Sequence, residues 1–209
     1  MNVVRIIAII VPILLALLSG CSDAPAPTAE KKAEAVKPPE PITGLTGLYQ
    51  MYNMARQWAP DAQVLRARSI RLTEVKSEGG KSGAWEGTFV SPGTGRARTY
   101  TNSVVEAQGN LHVGVFAGLP EGYSGSSGQM RPFPINVVSI DSEKAYETAM
   151  EKSADYAKKN PDMPISFLLD LTAGHTNPTW RVVWGESVAT SGYSVLVDAN
   201  TGEVVQILR

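Results

Sequence analysis

The chain has 209 residues, with 19 Lys and Arg against 20 Asp and Glu and a formal net charge of −1. That balance excludes the basic surface with which proteins grip nucleic acid, and no nucleic-acid partner is expected. One cysteine and two histidines rule out a disulfide framework and argue against a zinc site.

Arg5 precedes an apolar run, Ile6 to Leu18, which contains Pro12. The run is shorter than the roughly 20 residues that span a bilayer. A basic start, a short apolar core and small residues before a break predict a secretory signal over residues 1–20. The break, Leu18-Ser19-Gly20-Cys21, resembles the lipobox of bacterial lipoproteins. The resemblance implies cleavage between Gly20 and Cys21 and a diacylglycerol on the Cys21 sulfur. The chain would then hold to a membrane by its acyl anchor, since two or three chains anchor stably where one does not. Ser22 in the next position favours the outer membrane, facing the periplasm, if the bacterium has two membranes. Residues 21–43 are mostly Ala, Pro, Lys and Glu, with almost no large apolar side chain. Such a segment cannot bury enough surface to fold, so a disordered tether is expected.

Two similar units follow, 44–117 and 135–209, separated by the Gly/Ser/Pro-rich linker 118–134. Each begins with a helical pattern. In the first, Leu48, Met51, Tyr52, Ala55, Trp58 and Ala59 share one face; in the second, Ala145, Tyr146, Ala149, Met150, Ser153 and Ala157 do, behind a cap at Asp141 or Ser142. Pro60-Asp61 and Pro161-Asp162 end the helices. Strands are predicted near 63–75, 84–90, 96–105 and 110–117. In the second unit Ile165, Phe167, Leu169 and Leu171 alternate, as do Trp180, Val182 and Trp184, and Tyr193, Val195 and Val197. Trp85 matches Trp180, Tyr100 matches Tyr193, and Gly109 matches Gly202 in order and nearly in spacing. The pattern predicts an α+β fold built from a duplicated unit of one helix and a four-stranded antiparallel sheet, the two halves packing together or sharing a sheet.

No residue pattern declares an enzyme. His112 and His175 are far apart and lack the spacing of a zinc motif, the serines of "GYSGSSG" sit in a loop without a nucleophile elbow, and "EGGKSG" holds only part of a phosphate loop. No cofactor or metal is expected. Trp180, Trp184 and Tyr193 admit two readings, packing beneath the helix or an aromatic surface for a partner; packing is preferred. The closing "DANTGE", Asp198 to Glu203, has the look of a calcium loop, but Gly202, Glu203 and Arg209 stand where ligand, glycine and bidentate glutamate belong. A hairpin turn accounts for it better, with Asp198 bonding backbone N–H groups, Gly202 supplying a positive φ, and Gly109 as its counterpart in the first unit.

Tyr193, Val195, Val197, Asp198, Ala199, Thr201, Gly202, Glu203 and Val204 resemble the signature of the PepSY family. The resemblance covers about 141–208 and only distantly the first unit. It implies a cystatin-like α+β unit, often in secreted or membrane-anchored proteins, that binds or restrains peptidases, and it brings no catalytic residues. The expected function is a non-enzymatic envelope lipoprotein that binds a protein or peptide partner. An architectural lipoprotein of an envelope complex is the alternative, and an envelope hydrolase with an unrecognised site ranks below both.

Overall fold

The computed structural model describes residues 38–125 and 130–209. The signal, Gly20, Cys21 and the tether as far as residue 37 lie outside the described residues. The fold is α+β. Its elements are β1 (Ile42–Thr43), α1 (Gly44–Trp58), β2 (Gln63–Ile70), β3 (Lys81–Ser82), β4 (Ala84–Ser91), β5 (Arg96–Ser103), β6 (Gly114–Ala117), β7 (Glu121–Gly122), a 3-10 turn (Ile135–Val137), α2 (Ser142–Lys152), α3 (Ala154–Lys159), β8 (Ile165–Asp170), β9 (Thr179–Trp184), β10 (Tyr193–Asp198) and β11 (Val204–Leu208).

The long strands form one antiparallel sheet in the order β11-β10-β9-β8-β2-β4-β5-β6, with β7 beside β5. Each half of the chain supplies a run of four neighbours. The first strand of each half, β2 and β8, meet in the middle, where Arg66 faces Asp170 and Ala67 faces Leu169. The two halves therefore share a sheet rather than a mere contact, and Pro38–Arg209 is one compact unit.

Alternation sends every second side chain to one face of that sheet. Trp85, Phe89, Tyr100, Phe167, Leu169, Trp180, Val182, Trp184, Tyr193, Val195 and Val197 pack there with Leu48, Met51 and Ala55 of α1 and Ala145 and Ala149 of α2. Both helices thus lie on the same face. Trp180, Trp184 and Tyr193 are 0%, 2% and 5% exposed, so they are core and offer no aromatic surface to a partner. Each large ring removes on the order of 150–250 Å² from water, an amount a two-layer core of this size cannot forgo.

Each half ties its central tryptophan to the entry of its own helix. Trp85 Nε1 donates to the Ile42 carbonyl at 3.0 Å, and Trp180 Nε1 donates to the Ile140 carbonyl at 2.8 Å. The two rings meet edge to face at 6.1 Å. Both press on the first turns of α1: a Cβ at Gly44 would stand 2.5 Å from the Trp180 ring, and one at Gly47 would stand 3.0 Å from Trp85. The helix N-termini also meet. Asp141 Oδ1 accepts from Ser142 N–H at 2.6 Å and from Leu45 N–H at 2.9 Å, while Ser142 Oγ accepts from Gly44 N–H at 2.7 Å and donates to the Gly80 carbonyl at 2.6 Å. Asp141 therefore caps both helices.

Four details depart from the sequence reading. Ile42 and Thr43 belong to the folded part, not the tether: β1 pairs with β3, and the Thr43 hydroxyl caps α1 by accepting from Thr46 N–H at 3.2 Å. The second helix is broken at Ser153, whose buried hydroxyl bonds Tyr193 Oη at 3.0 Å. β6 begins only at Gly114, because Leu111 turns aside to join Leu72 and Ala84 in a small separate cluster. The expected linker is strapped to the sheet, with Phe133 and Val64 exchanging backbone hydrogen bonds of 2.8 and 2.9 Å and the Phe133 side chain buried.

Candidate functional site

The opposite face of the sheet carries no helix. Two continuous rows of side chains cross it. The first is Thr101, Glu86, Arg68, Leu168, Arg181, Leu196 and Gln206, each opposite the next on successive strands from β5 to β11. The second is Thr99, Thr88, Arg66, Asp170, Thr179 and Asp198, from β5 to β10. Hydroxyls and guanidinium groups dominate, with Leu168 and Leu196 as the apolar members. The other face of the same strands holds the tryptophans, and beyond these two rows the helix-free face also carries the buried Val90 and Val183.

The charged groups concentrate at the β2–β8 seam and its neighbours. Arg68 grips Glu86 with two hydrogen bonds, Nε to Oε1 at 2.7 Å and Nη2 to Oε2 at 2.9 Å. Half of the Arg68 side chain remains exposed. Arg181 Nε donates to Ser194 Oγ at 2.9 Å. Arg66 is exposed and opposes Asp170. Burial pushes the Asp170 carboxyl above the usual carboxylate range, and Arg181, His175 and Arg66 pull it back only in part. Planar guanidinium groups on rigid strands suit bidentate recognition of carboxylates, while the hydroxyls of Thr88 and Thr99 bond each other at 3.0 Å and Thr179 is buried.

The turn between β10 and β11 borders this face. Asp198 Oδ1 accepts from Asn200 N–H at 2.8 Å and Thr201 N–H at 2.9 Å, and Oδ2 accepts from Asn177 Nδ2 at 3.0 Å. Burial pushes Asp198 up, but the N–H of Thr201, the Asn177 amide and the N–H of Asn200 together hold it below the usual range. Gly202 has φ +80° and Gly109 has φ +82°. Asp198 and Gly202 thus build the turn as expected, and Gly109 occupies a turn between Ala107 and Leu111. Among the described residues no group of three His, Cys, Asp or Glu side chains is placed to hold a metal ion.

The other candidates are not brought together. His112 is exposed and 2.9 Å from Glu106. His175 lies in the loop between β8 and β9, where its main-chain carbonyl accepts from Arg131. The serine-rich loop lies partly outside the described residues. On the helix side, a groove of about 500 Å³ is lined by Tyr146, Met150, Ala157, Met163, Ile165 and Trp184, without a nucleophile or acid–base pair. No described helix is long and apolar enough to cross a membrane. The grouping of Arg66, Arg68 and Arg181 is not visible in the sequence, because it exists only once the register sets β2 beside β8.

No protein-family profile matches this chain, and no curated protein sequence does. Among solved structures the chain is similar to a provisionally assigned lipoprotein of Clostridium difficile 630, with 11% identity and a TM-score of 0.43, covering 77% of this chain and 91% of that one.

Proposed function

We propose that this protein is a non-enzymatic, lipid-anchored protein of the bacterial envelope that binds a protein or peptide partner on the helix-free face of its sheet. One observation carries the reading. On the helix-free face Arg66 and Arg68 stand in water on rigid backbone, beside the partly exposed Thr101, Glu86, Asp170 and Arg181. A surface with fixed donors and acceptors loses little conformational entropy on binding. Nothing on it resembles a nucleophile paired with a base, which supports binding rather than turnover.

Lipid attachment rests on Leu18 to Cys21 alone, and Cys21→Ser tests it: the variant should leave the membrane fraction. The two halves are best understood as a duplication, because each presents a helix followed by four neighbouring strands and ties its tryptophan to the isoleucine before its helix. The likeness of Tyr193–Val204 to PepSY proteins supports a peptidase among the partners.

The test is capture from an envelope extract by the wild type and by a variant carrying Arg66→Ala, Arg68→Ala and Arg181→Ala, with both proteins first checked to be folded at the assay temperature. The wild type should retain a partner that the variant loses. An identical bound set on both proteins overturns the assignment of this face, and a multi-protein envelope assembly rather than a peptidase would favour an architectural role.

A further inference from the structure

The two ends of the sheet differ. At one end, β6 is a short strand of four residues, and β7 supplements it along β5. At the other, β11 is a five-residue strand, Val-Val-Gln-Ile-Leu, without a partner on its outer side among the described residues. Natural edges are usually protected by a charge, a proline, a β-bulge or a covering loop, and of these β11 has only the bulge at its start. β11 has no charge and no proline between Val204 and Leu208, and Val205 and Ile207 are 43% and 36% exposed.

Its hydrogen-bonding groups are directed outward in a definite way. Asp198 N–H donates to the Glu203 carbonyl at 2.8 Å, so on β10 the main-chain groups of Asp198, Leu196 and Ser194 face β11. Leu196 and Ser194 oppose Gln206 and Leu208, whose groups therefore face β10. Alternation turns the N–H and C=O of Ile207 to the free edge. A bulge at Val205, the residue opposite none on β10, lies at the start of the strand.

We propose that β11 is a self-complementary edge on which two copies of this chain pair antiparallel about Gln206, joining their sheets into one. A two-fold axis at Gln206 places Val205 against Ile207 of the second copy, Val204 against Leu208, and Glu203 against Arg209. The two exposed apolar side chains cover each other, and the only charged residues flanking the strand meet with opposite sign at both ends. Neither Glu203 nor Arg209 has an ion-pair partner among the described residues. Moving the axis to Val205 or Ile207 loses the charge match and leaves part of the strand unpaired. Opposite-charge and apolar cross-strand pairs are the units that fix a register.

The test uses the full chain carrying Cys21→Ser, so that an introduced thiol is the only one. Residues facing each other across an antiparallel pair have Cα atoms about 4.5–5.5 Å apart, within reach of a disulfide. Gln206→Cys should oxidise to a disulfide-linked dimer in high yield, while Tyr49→Cys, at an exposed helix position, should not. Val205→Cys alone should link poorly, yet link well when mixed with Ile207→Cys. In the Gln206→Cys background, Glu203→Lys should cut the yield several-fold, and Glu203→Lys with Arg209→Glu should restore it. A Gln206→Cys yield no higher than that of Tyr49→Cys overturns the proposal, as does a charge swap that fails to restore linkage.

Discussion

The two faces of the sheet are built from the same strands and answer opposite demands. On the covered face, β9 presents Trp180, Val182 and Trp184, all essentially without solvent. On the other it presents Thr179, Arg181 and Val183, of which Arg181 keeps part of its surface in water. The covered face is fixed by volume, and a change there alters packing against two helices. The helix-free face is fixed by register, and a change there alters which polar groups stand side by side. The apolar packing residues thus take every second position of β9, and Arg181 between them keeps a surface that packing does not fix.

Substitutions can break that division or sharpen it. The largest loss should follow Trp180→Ala, which empties the site between α1, α2 and the sheet and orphans the Ile140 carbonyl. Truncations of this kind cost about 3–5 kcal/mol, visible as a lower urea midpoint; a loss below about 1 kcal/mol would mean that the covered face is not under packing control. Gly44→Ala should come next, because its Cβ would meet the Trp180 ring at 2.5 Å. Overpacking costs about 1–3 kcal/mol, and the loss should shrink when Trp180 is replaced by Phe in the same chain. Gly202→Ala, at the rim between the faces, forces φ +80° on a residue with a side chain. That costs about 1–2 kcal/mol, measurable by thermal unfolding.

Asp170→Asn should act in the opposite direction. Its carboxyl is held above the ordinary range chiefly by burial, so the folded state keeps the proton more tightly than the unfolded chain. Stability is then lost as pH rises through the window above the ordinary carboxylate pKa, and the loss persists at neutral pH. Asp170→Asn should melt higher than wild type at pH 7, and the difference should vanish below about pH 4. An equal or lower melting temperature at pH 7 would show that Arg66 and Arg181 outweigh burial at this carboxylate. The smallest loss is expected from Arg181→Ala, about 0.5–1.5 kcal/mol, because it removes the bond to the buried Ser194 hydroxyl and a charge facing Asp170.

The covered face was legible in the sequence and the helix-free face was not. Period-two alternation names Phe167, Leu169, Trp180, Val182, Trp184, Tyr193, Val195 and Val197 as one apolar set, and burial follows directly from hydrophobicity. Polar alternates carry no such signal. Arg66 opposes Asp170 only because β2 and β8 are adjacent, a pairing between residues about a hundred positions apart that no local pattern announces. The break at Ser153 was hidden for a similar reason. Ser153 fits the inward stripe of a continuous helix, and only the distant Tyr193 hydroxyl gives it a competing bond. The two-residue strands β1 and β3 are too short to show any period. The turn at Asp198–Glu203, by contrast, is set mainly by its own residues and was readable apart from the Asn177 amide that bonds Asp198.

The double cap at Asp141 bears on the order of folding. Leu45 N–H must wait for a carboxylate 96 positions further along the chain, and Gly44 N–H for a hydroxyl 98 positions away. A chain synthesised from its N-terminus therefore cannot complete the caps of the first helix until about two thirds of its residues have been made. β2 is held to the same schedule, with one long edge bare until β8 arrives. The first half is in effect a template that the second half closes. A ribosome-stalled chain ending before Asp141 should remain open to protease, and protection should appear in a single step once β8 has emerged.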